Sequence, residues 1–297
     1  MRVFSHDRWR FPLPPGHRFP LAKYGRLRAR IEAEAVASVA EADAVSWEEL
    51  VLMHSPALVE RLRHGRLSLR ESRGLGLPWS PELIERARRA TGGTVAAARE
   101  ALTAGVGMNL GGGTHHAGRD FARGYCVFND VAVAAGVLRS AGLARRVLVV
   151  DCDVHQGDGT ADLLAGDPDA FTLSIHGRRN YPFQRIASDL DVDVDTGAGD
   201  DEYLSLLAPA LEQALASGPF DIAFYLAGAD PWEGDRLGRL SLTKAGLLAR
   251  DRHVLDRLES EAIPTCITLA GGYADDVEDT VDIHFATTLE AAARVKV

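Results

Sequence analysis

The sequence predicts an α/β fold in which helices cover both faces of one parallel β-sheet. From about residue 105 onward, short apolar runs alternate with longer helical patterns, and such alternation is typical of parallel sheets with helical crossovers. Residues capable of chemistry follow several of the apolar runs, as expected where strand ends meet at a site. No repeat or linker divides the 297 residues, so we expect a single domain over 1–297.

The first part of the chain is predicted to be mainly helical. Residues 1–20 are rich in Pro, Arg and aromatic side chains and favour an ordered loop after a short strand. Helical patterns then extend from Leu21 to about Gly105. SPALVERLRHG opens with a capping serine and closes with glycine. SPELIERARRATGGTVAAAREAL also opens with Ser-Pro, and its Gly92-Gly93 pair predicts a break or kink.

The remaining strands are predicted from four apolar runs rich in β-branched or aromatic residues: RVLVV, AFTLSIH, DIAFYLAG and TCITLAG. The segments between them have helical periodicity: NDVAVAAGVLRSAG, DDEYLSLLAPALEQALASG and TKAGLLARDRHVLDRLESE. A polar or glycine-rich motif follows each of four apolar runs. GGGTHHAG follows VGMNL, and DCDVHQGDG follows RVLVV. ADPWEGDRLG follows DIAFYLAG, and GYADD follows TCITLAG. We therefore expect four strand ends to converge on one site.

Composition excludes several classes of protein. The net charge of −9 and the pI near 5.6 argue against a nucleic-acid-binding protein and a membrane-surface protein. The many arginines are scattered along the predicted helices and are interpreted as solvated helix faces. From the apolar runs of the sequence we expect neither a membrane span nor a signal peptide. Cys126, Cys152 and Cys266 are interpreted as buried thiols, which fits a reducing compartment, and we expect a cytoplasmic location.

A metal site is predicted from three residues at strand ends. Asp153 and His155 are two residues apart, so in extended backbone they point to the same side. Asp230, which follows a later strand, can join them. Two carboxylates and one imidazole suit Zn²⁺ with open positions, and the same set could hold Fe²⁺. The alternative interpretation of these residues alone is a solvated loop.

Proton transfer is predicted from the adjacent His115 and His116 in the glycine-rich segment. Asp151 and Asp158 remain after the metal ligands are assigned, and each could orient one imidazole by a hydrogen bond. Tyr273, after paired glycines at another strand end, could stabilise an oxyanion.

Four segments together resemble, in order and spacing, the motifs of the histone deacetylase family: GGGTHHAGRDFARGYCVFNDVAVA, VLVVDCDVHQGDGTADLL, GADPWEGDRLGRLSLT and AGGY. That family includes acetoin-utilisation proteins and acetylpolyamine amidohydrolases, and this chain is most similar to the class IV branch. The resemblance implies a single-domain arginase/deacetylase α/β fold with an eight-stranded parallel sheet. It also implies a zinc-dependent hydrolase that removes acetyl or longer acyl groups from amines.

The resemblance also assigns roles to residues. It makes Asp153, His155 and Asp230 the metal ligands, and it makes His115 and His116 the catalytic pair, oriented by Asp151 and Asp158 respectively. It makes Tyr273 the oxyanion donor, and it places Gly124, Tyr125 and Tyr181 on the wall of the substrate channel. Finally, it implies a K⁺ site formed by backbone oxygens near Asp151, Asp153 and His155, with Ser174 nearby.

The predicted substrate is an acylated lysine, and the alternative is an acetylpolyamine or another small acylated amine. A two-metal ureohydrolase would need a second carboxylate after Asp230, where the sequence has Pro231 and Trp232. A non-enzymatic acyl-binding protein would be expected to have lost a ligand or a base, and none is lost. A nucleotide-binding strand is not favoured, because no GxGxxG follows a strand and opens a helix.

Overall fold

The computed structural model describes residues 1–295 of the chain. Its strands are β1 (Arg2–Ser5), β2 (Ser38–Glu41), β3 (Val106–Asn109), β4 (Val147–Asp151), β5 (Ala170–Gly177), β6 (Leu190–Val194), β7 (Ile222–Leu226) and β8 (Thr265–Thr268). Its helices are α1 (Ala22–Ala33), α2 (Trp47–Leu50), α3 (Pro56–Arg63), α4 (Leu69–Leu75), α5 (Pro81–Ala104), α6 (Asp130–Ser140), α7 (Asp158–Leu164), α8 (Asp200–Leu215), α9 (Lys244–Ser260) and α10 (Val277–Ala292).

The strands form one eight-stranded sheet in the order β2-β1-β3-β8-β7-β4-β5-β6. Every neighbouring pair is parallel. The predicted single-domain α/β fold with an eight-stranded parallel sheet is therefore confirmed. The four strands β3, β8, β7 and β4 are consecutive in the sheet, so the loops at their carboxyl ends lie side by side.

Helices cover both faces of the sheet, and each face has its own hydrophobic core. Leu148 and Val150 of β4 pack in one core, together with buried residues of α1, α8, α9 and α10. Val147 and Val149 of the same strand pack in the other core, with buried residues of α3, α5, α6 and α7. Successive side chains of a strand point to opposite faces, so the continuous apolar run of β4 supplies both cores.

Sequence reasoning missed the two edge strands, β2 and β6. The predicted helical region contains β2, and LDVDV of β6 was not recognised as a strand. Only one residue of the two strands, Val194, is fully buried. Because an edge strand pairs on one side and is partly exposed, it lacks the continuous apolar run that marks a central parallel strand.

The predicted break at Gly92-Gly93 is wrong, because α5 runs without interruption through both glycines. The two residues instead allow close packing. A Cβ atom at Gly92 would lie 1.8 Å from the backbone oxygen of Asp43, and one at Gly93 would lie 2.9 Å from the side chain of Asn109. The glycines therefore let the connecting loop and β3 approach the helix.

Two further predictions concern cysteines and membranes. Cys126, Cys152 and Cys266 are buried and free of disulfides, as expected. Among residues 1–295, none of the helices is both long and apolar enough to cross a bilayer.

Candidate active site and metal centre

Three potential metal ligands meet where β4 and β7 end. Asp153 and His155 follow β4, and Asp230 follows β7, which is its neighbour in the sheet. The Nδ1 atom of His155 lies 2.9 Å from Oδ1 of Asp153 and 3.3 Å from Oδ2 of Asp230. One donor atom from each of the three buried residues lies within 4.8 Å of the other two. The strand order therefore brings together the ligand set that the sequence predicts.

The chemistry of this cluster fits a divalent cation. Oδ2 of Asp230 is buried and has no hydrogen-bond partner among residues 1–295. Burial and the nearby Asp153 carboxylate raise the pKa of Asp230 to about 7. Burial disfavours charge on His155, but the two carboxylates outweigh it and raise its pKa to about 10. A cation bound between these groups would give Oδ2 of Asp230 a partner and would offset the negative charge of the two buried carboxylates.

His115 and His116 lie beside this cluster, with their ring centroids 4.1 Å apart. Nδ1 of His115 is 2.7 Å from Oδ2 of Asp151, and Nδ1 of His116 is 2.5 Å from Oδ1 of Asp158. Burial disfavours protonation of His115, but the carboxylates of Asp151 and Asp153 outweigh it and raise its pKa to about 9. Burial and the charge of His115 lower the pKa of His116 to about 4. At neutral pH, His116 is therefore a neutral base beside a charged His115.

Arg123 supports the Asp158–His116 pair. Its guanidinium contacts Oδ2 of Asp158, the oxygen that His116 does not use. Although burial opposes ionisation of Asp158, the contacts with His116 and Arg123 outweigh it and lower the pKa of this carboxyl. Sequence reasoning missed Arg123; its position directly before the predicted channel residue Gly124 was the available signal.

Asp130 fixes the segment that carries the two histidines through several hydrogen bonds. This buried carboxylate accepts hydrogen bonds from the backbone N–H groups of Gly113, at 3.0 Å, and Thr114, at 2.7 Å. It also accepts bonds from the hydroxyls of Thr94 and Thr114, both at 2.6 Å. Asp130 begins α6, so the helix and the glycine-rich loop are held in one arrangement. Such support keeps His115 and His116 in a defined geometry.

Tyr273 lies in the loop that follows β8 and lines the same cavity as Asp153 and His155. Gly271, two residues before Tyr273, donates its N–H to Oδ2 of Asp153 at 2.8 Å. The N–H of Tyr273 itself donates to Oδ2 of Asp235 at 2.6 Å, which joins this loop to the loop after β7. Burial, followed by the carboxylates of Asp153 and Asp230, raises the pKa of Tyr273 well above its usual value. Its hydroxyl therefore remains protonated and able to donate a hydrogen bond.

A cavity of about 660 Å³ connects this centre with the surface. Gly124 and Tyr125 line one side, and the ring of Tyr181 lies 4.9 Å from that of His116. Gly124 has φ +57°, and a Cβ there would lie 2.6 Å from Cδ2 of His116. Both the backbone conformation and the close approach require glycine. The three predicted channel residues thus line one cavity, together with His116 and Tyr273.

A second cavity of about 80 Å³ extends inward from the same histidines. Apolar and aromatic side chains line much of it, and so do two buried cations, Lys23 and Arg86. Nζ of Lys23 donates to the backbone oxygen of Ala270 at 3.0 Å, and the guanidinium carbon of Arg86 lies 4.7 Å from the ring centroid of Tyr24. We did not predict this inner chamber from the sequence, since its walls come from distant segments.

A buried Arg250–Asp251 pair supports the loops that carry the ligands. The Arg250 guanidinium donates to the backbone oxygens of Cys152, at 3.2 Å, and Gly228, at 2.7 Å. These two oxygens precede the ligand residues after β4 and β7. Oδ1 of Asp251 accepts the hydroxyl of Tyr225 at 2.5 Å. The sequence offered no signal for this role, because RDRHV reads as part of an ordinary helix.

Ser174, the last residue in the predicted K⁺ site, lies on β5 opposite Asp151 in the register of the sheet. Its hydroxyl is 2.9 Å from Nδ1 of His176. The structure thus places Ser174 beside the first residue of the predicted backbone site.

Comparisons with known proteins give the family. The model for the histone deacetylase domain matches residues 17–288. An uncharacterised protein of Picosynechococcus is 41% identical over 298 residues, which is 98% of each chain. The acetoin utilization protein AcuC of Bacillus subtilis is 31% identical over 220 residues, which is 67% of this chain and 57% of that protein. A crystal structure of an HDAC homologue complexed with SAHA superposes with a TM-score of 0.83 at 23% identity, covering 99% of this chain and 84% of the other.

The structural likeness, at that identity, concerns the fold, whereas the family model concerns the sequence over nearly the whole chain. The chain belongs to the histone deacetylase family.

Proposed function

We propose that the protein is a zinc-dependent deacylase that hydrolyses the amide between an acyl group and the side-chain amine of lysine. The observation that carries this proposal is the buried Asp153–His155–Asp230 cluster beside two carboxylate-paired histidines at the base of an open cavity. Single-metal hydrolysis of an amide needs a cation site, a base and an oxyanion donor, and each has a candidate here.

The ligand set supports a single catalytic ion. A divalent ion held by Asp153, His155 and Asp230 would supply polarisation of the amide carbonyl and acidification of the attacking water. Zinc suits this set, and Fe²⁺ is the alternative that the same ligands permit. Pro231 and Trp232 follow Asp230 where a two-metal ureohydrolase would need another carboxylate. We also propose a K⁺ ion on the backbone near Asp151 and Ser174.

The chain's own residues would move the protons. His116 is neutral at pH 7, and Nε2 is free because Nδ1 is engaged with Asp158. It would accept a proton from the attacking water and then deliver a proton to the leaving amine. His115 would remain charged and stabilise the negative charge that develops nearby. Tyr273 would donate its hydroxyl proton in a hydrogen bond to the tetrahedral oxyanion. The products are a carboxylate and a free amine.

The shape of the two cavities supports an acylated lysine. Tyr125 and Tyr181 would present flat faces to the aliphatic part of the lysine side chain. Beyond the catalytic residues, the inner chamber offers about 80 Å³ for an acyl group longer than acetyl. The class IV likeness, which remains a prediction, also favours longer acyl groups. A small acylated amine is the second candidate, and the similarity to the acetoin utilization protein AcuC favours it.

A substrate panel on purified, zinc-loaded protein tests the proposal. We expect hydrolysis of acyl-lysine peptides, with at least one acyl length preferred over N-acetylputrescine. Comparing kcat/KM for acetyl-lysine and myristoyl-lysine peptides decides the acyl length. Hydrolysis of acetylpolyamines alone would favour the second candidate. Binding of acyl-lysine peptides without turnover by correctly folded, metal-loaded protein would contradict the deacylase proposal and favour an acyl-binding protein.

A further inference from the structure

Arginines surround the mouth of the substrate cavity. The cavity of about 660 Å³ that leads to the catalytic residues has no aspartate or glutamate among its lining residues within 1–295. All of its charged lining residues other than histidine are exposed arginines: Arg18, Arg73, Arg179, Arg236 and Arg239. These five arginines are exposed, as the sequence-based interpretation expects, but only Arg73 lies on a helix, and all five line one cavity.

This ring contrasts with the rest of the molecule. The chain has 42 acidic and 33 basic residues, for a net charge of −9. More than half of the other exposed arginines in residues 1–295 have a carboxylate partner, such as Arg252 with Glu290 at 2.9 Å. At the mouth, Arg236 is 3.3 Å from the exposed Asp275, whereas the other four arginines form no ion pair with any residue in 1–295. The positive charge at the mouth is therefore largely uncompensated.

Backbone contacts fix the segments that carry the arginines. The segment of Arg73 is tied to the channel wall, because Gly124 and Tyr125 donate their N–H groups to Gly74 and Leu75, both at 2.9 Å. The channel-wall residues Gly124 and Tyr125 are thus held next to the segment that carries Arg73 by backbone hydrogen bonds.

The other segments of the rim are tied to each other. A ring nitrogen of His17, next to Arg18, is 2.9 Å from the backbone oxygen of Gly76. The side-chain amide of Asn180, next to Arg179, donates to the backbone oxygen of Leu237 at 2.9 Å. Leu237 lies between Arg236 and Arg239. The charged groups are therefore mounted on a preorganised rim, even though the side chains themselves are exposed.

We infer that the rim selects an acylated lysine that lies in an acidic peptide segment; this inference rests on the proposed deacylase function and names its substrate class. The scissile amide would sit at the catalytic residues, and Asp or Glu residues on either side of the lysine would face the rim. A cavity lined by one sign of charge concentrates substrates of the opposite sign. The five arginines line a single cavity, whereas nucleic-acid-binding proteins have an extended basic patch or stripe.

The same charges disfavour two classes of acylated amine. Acetylpolyamines carry additional ammonium groups that would meet the arginines, and lysine-rich segments would do the same. Like charges across an interface reduce both the association rate and the affinity. These interactions act through solvent, so salt should weaken them, as the Debye length falls from about 30 Å at 0.01 M to about 8 Å at 0.15 M ionic strength.

Three peptides with the same acyl-lysine test the inference: one flanked by aspartates, one by serines and one by lysines. At 0.01 M ionic strength we expect kcat/KM for the aspartate peptide to exceed that for the lysine peptide by at least about tenfold. The ratio should shrink at 0.15 M. The double variant R179Q/R239Q should lower it severalfold. Arg99 is also exposed and unpaired within residues 1–295, and it lines neither cavity described above, so R99Q is the matched control and should retain the wild-type ratio.

Several outcomes would overturn the inference. Equal or better use of the lysine peptide, or a ratio that does not respond to salt, would exclude selection by charge. N-acetylphosphoethanolamine as a better substrate than every peptide would show that the occupant is a small anionic amine. The serine peptide has no flanking charge, so its hydrolysis tests the proposed deacylase function independently of selection by charge. If no peptide is hydrolysed, fluorescence anisotropy of the three labelled peptides with the wild-type protein still tests selection by charge. The inference requires the aspartate peptide to bind most tightly and the lysine peptide most weakly.

Discussion

Replacing the two histidines by asparagine should have unequal consequences. His116→Asn removes the neutral base, whose Nδ1 is 2.5 Å from Asp158. General acid–base assistance is typically worth about 10²–10⁴ in rate, so we expect the single-turnover rate to fall by about that factor at every pH. His115→Asn retains the base and removes the charged neighbour, so its effect should depend on pH.

The size of that dependence follows from the geometry. The ring centroids of His115 and His116 are 4.1 Å apart, and two unit charges about 4 Å apart interact by about 4 kcal/mol at an effective dielectric constant of about 20. As one pKa unit corresponds to about 1.4 kcal/mol, losing the charge can raise the pKa of His116 by as much as about 3 units. His116 must be neutral to accept a proton. The acidic limb of the rate profile should therefore move from about pH 4 in the wild type toward neutrality in His115→Asn.

The basic limb provides a second signature. The pKa of His115 is about 9, so its positive charge, and the assistance it gives, should be lost as the pH rises through that value. His115→Asn should lack this limb. The assay is single-turnover hydrolysis of an acyl-lysine peptide from about pH 3 to about pH 10, with metal content measured for each variant at each pH. The losses in the double variant should not add, because both residues act on one proton path. Equal losses at every pH would refute the asymmetry, and a larger loss in His115→Asn would reverse the two roles.

Three further changes test other parts of the site. Tyr273→Phe removes one hydrogen-bond donor, and we expect kcat to fall by about 10²–10³ with KM little changed; full kcat would make Tyr273 a packing residue. Arg250→Met leaves the buried Asp251 without its cation, so the free energy of unfolding in urea should fall by about 3–5 kcal/mol, and a fall of less than about 1 kcal/mol would contradict the proposed support. Gly124→Ala should lower kcat/KM, because its Cβ would meet the ring of His116, the proposed base; Gly142→Ala, also at positive φ but with nothing within 4 Å, is the matched control and should retain wild-type kcat/KM.

The central part of the fold could be predicted because its strands are buried on both faces. Short apolar runs rich in β-branched residues, such as RVLVV, are typical of strands buried on both faces, and their alternation with helices limits the topology. The edge strands β2 and β6 could not be predicted in the same way, since they are partly exposed and their sequences resemble loops or helices. Gly92 and Gly93 were interpreted as a local break, whereas their role depends on segments that pack against α5 from elsewhere in the chain.

In the candidate site, too, features set by local sequence could be predicted, whereas features that depend on distant segments could not. Residues such as Asp153 and His155 directly follow a strand, so sequence position alone placed them near one another. Arg123 and Asp235 act on residues far along the chain, through contacts that appear only in the folded protein. The rim arginines are the extreme case, because they lie on separate segments and nothing in their local sequence distinguishes them from other surface arginines.

A zinc titration of metal-stripped protein, followed by hydrolysis of an acyl-lysine peptide, shows whether one ion supports catalysis. We expect activity to rise with bound zinc and to reach its plateau at one ion per chain. Asp230→Asn, which changes a carboxylate of the Asp153–His155–Asp230 cluster, should neither bind the ion tightly nor hydrolyse the peptide. Activity that requires two ions per chain, or that persists without metal, would contradict a single-metal deacylase.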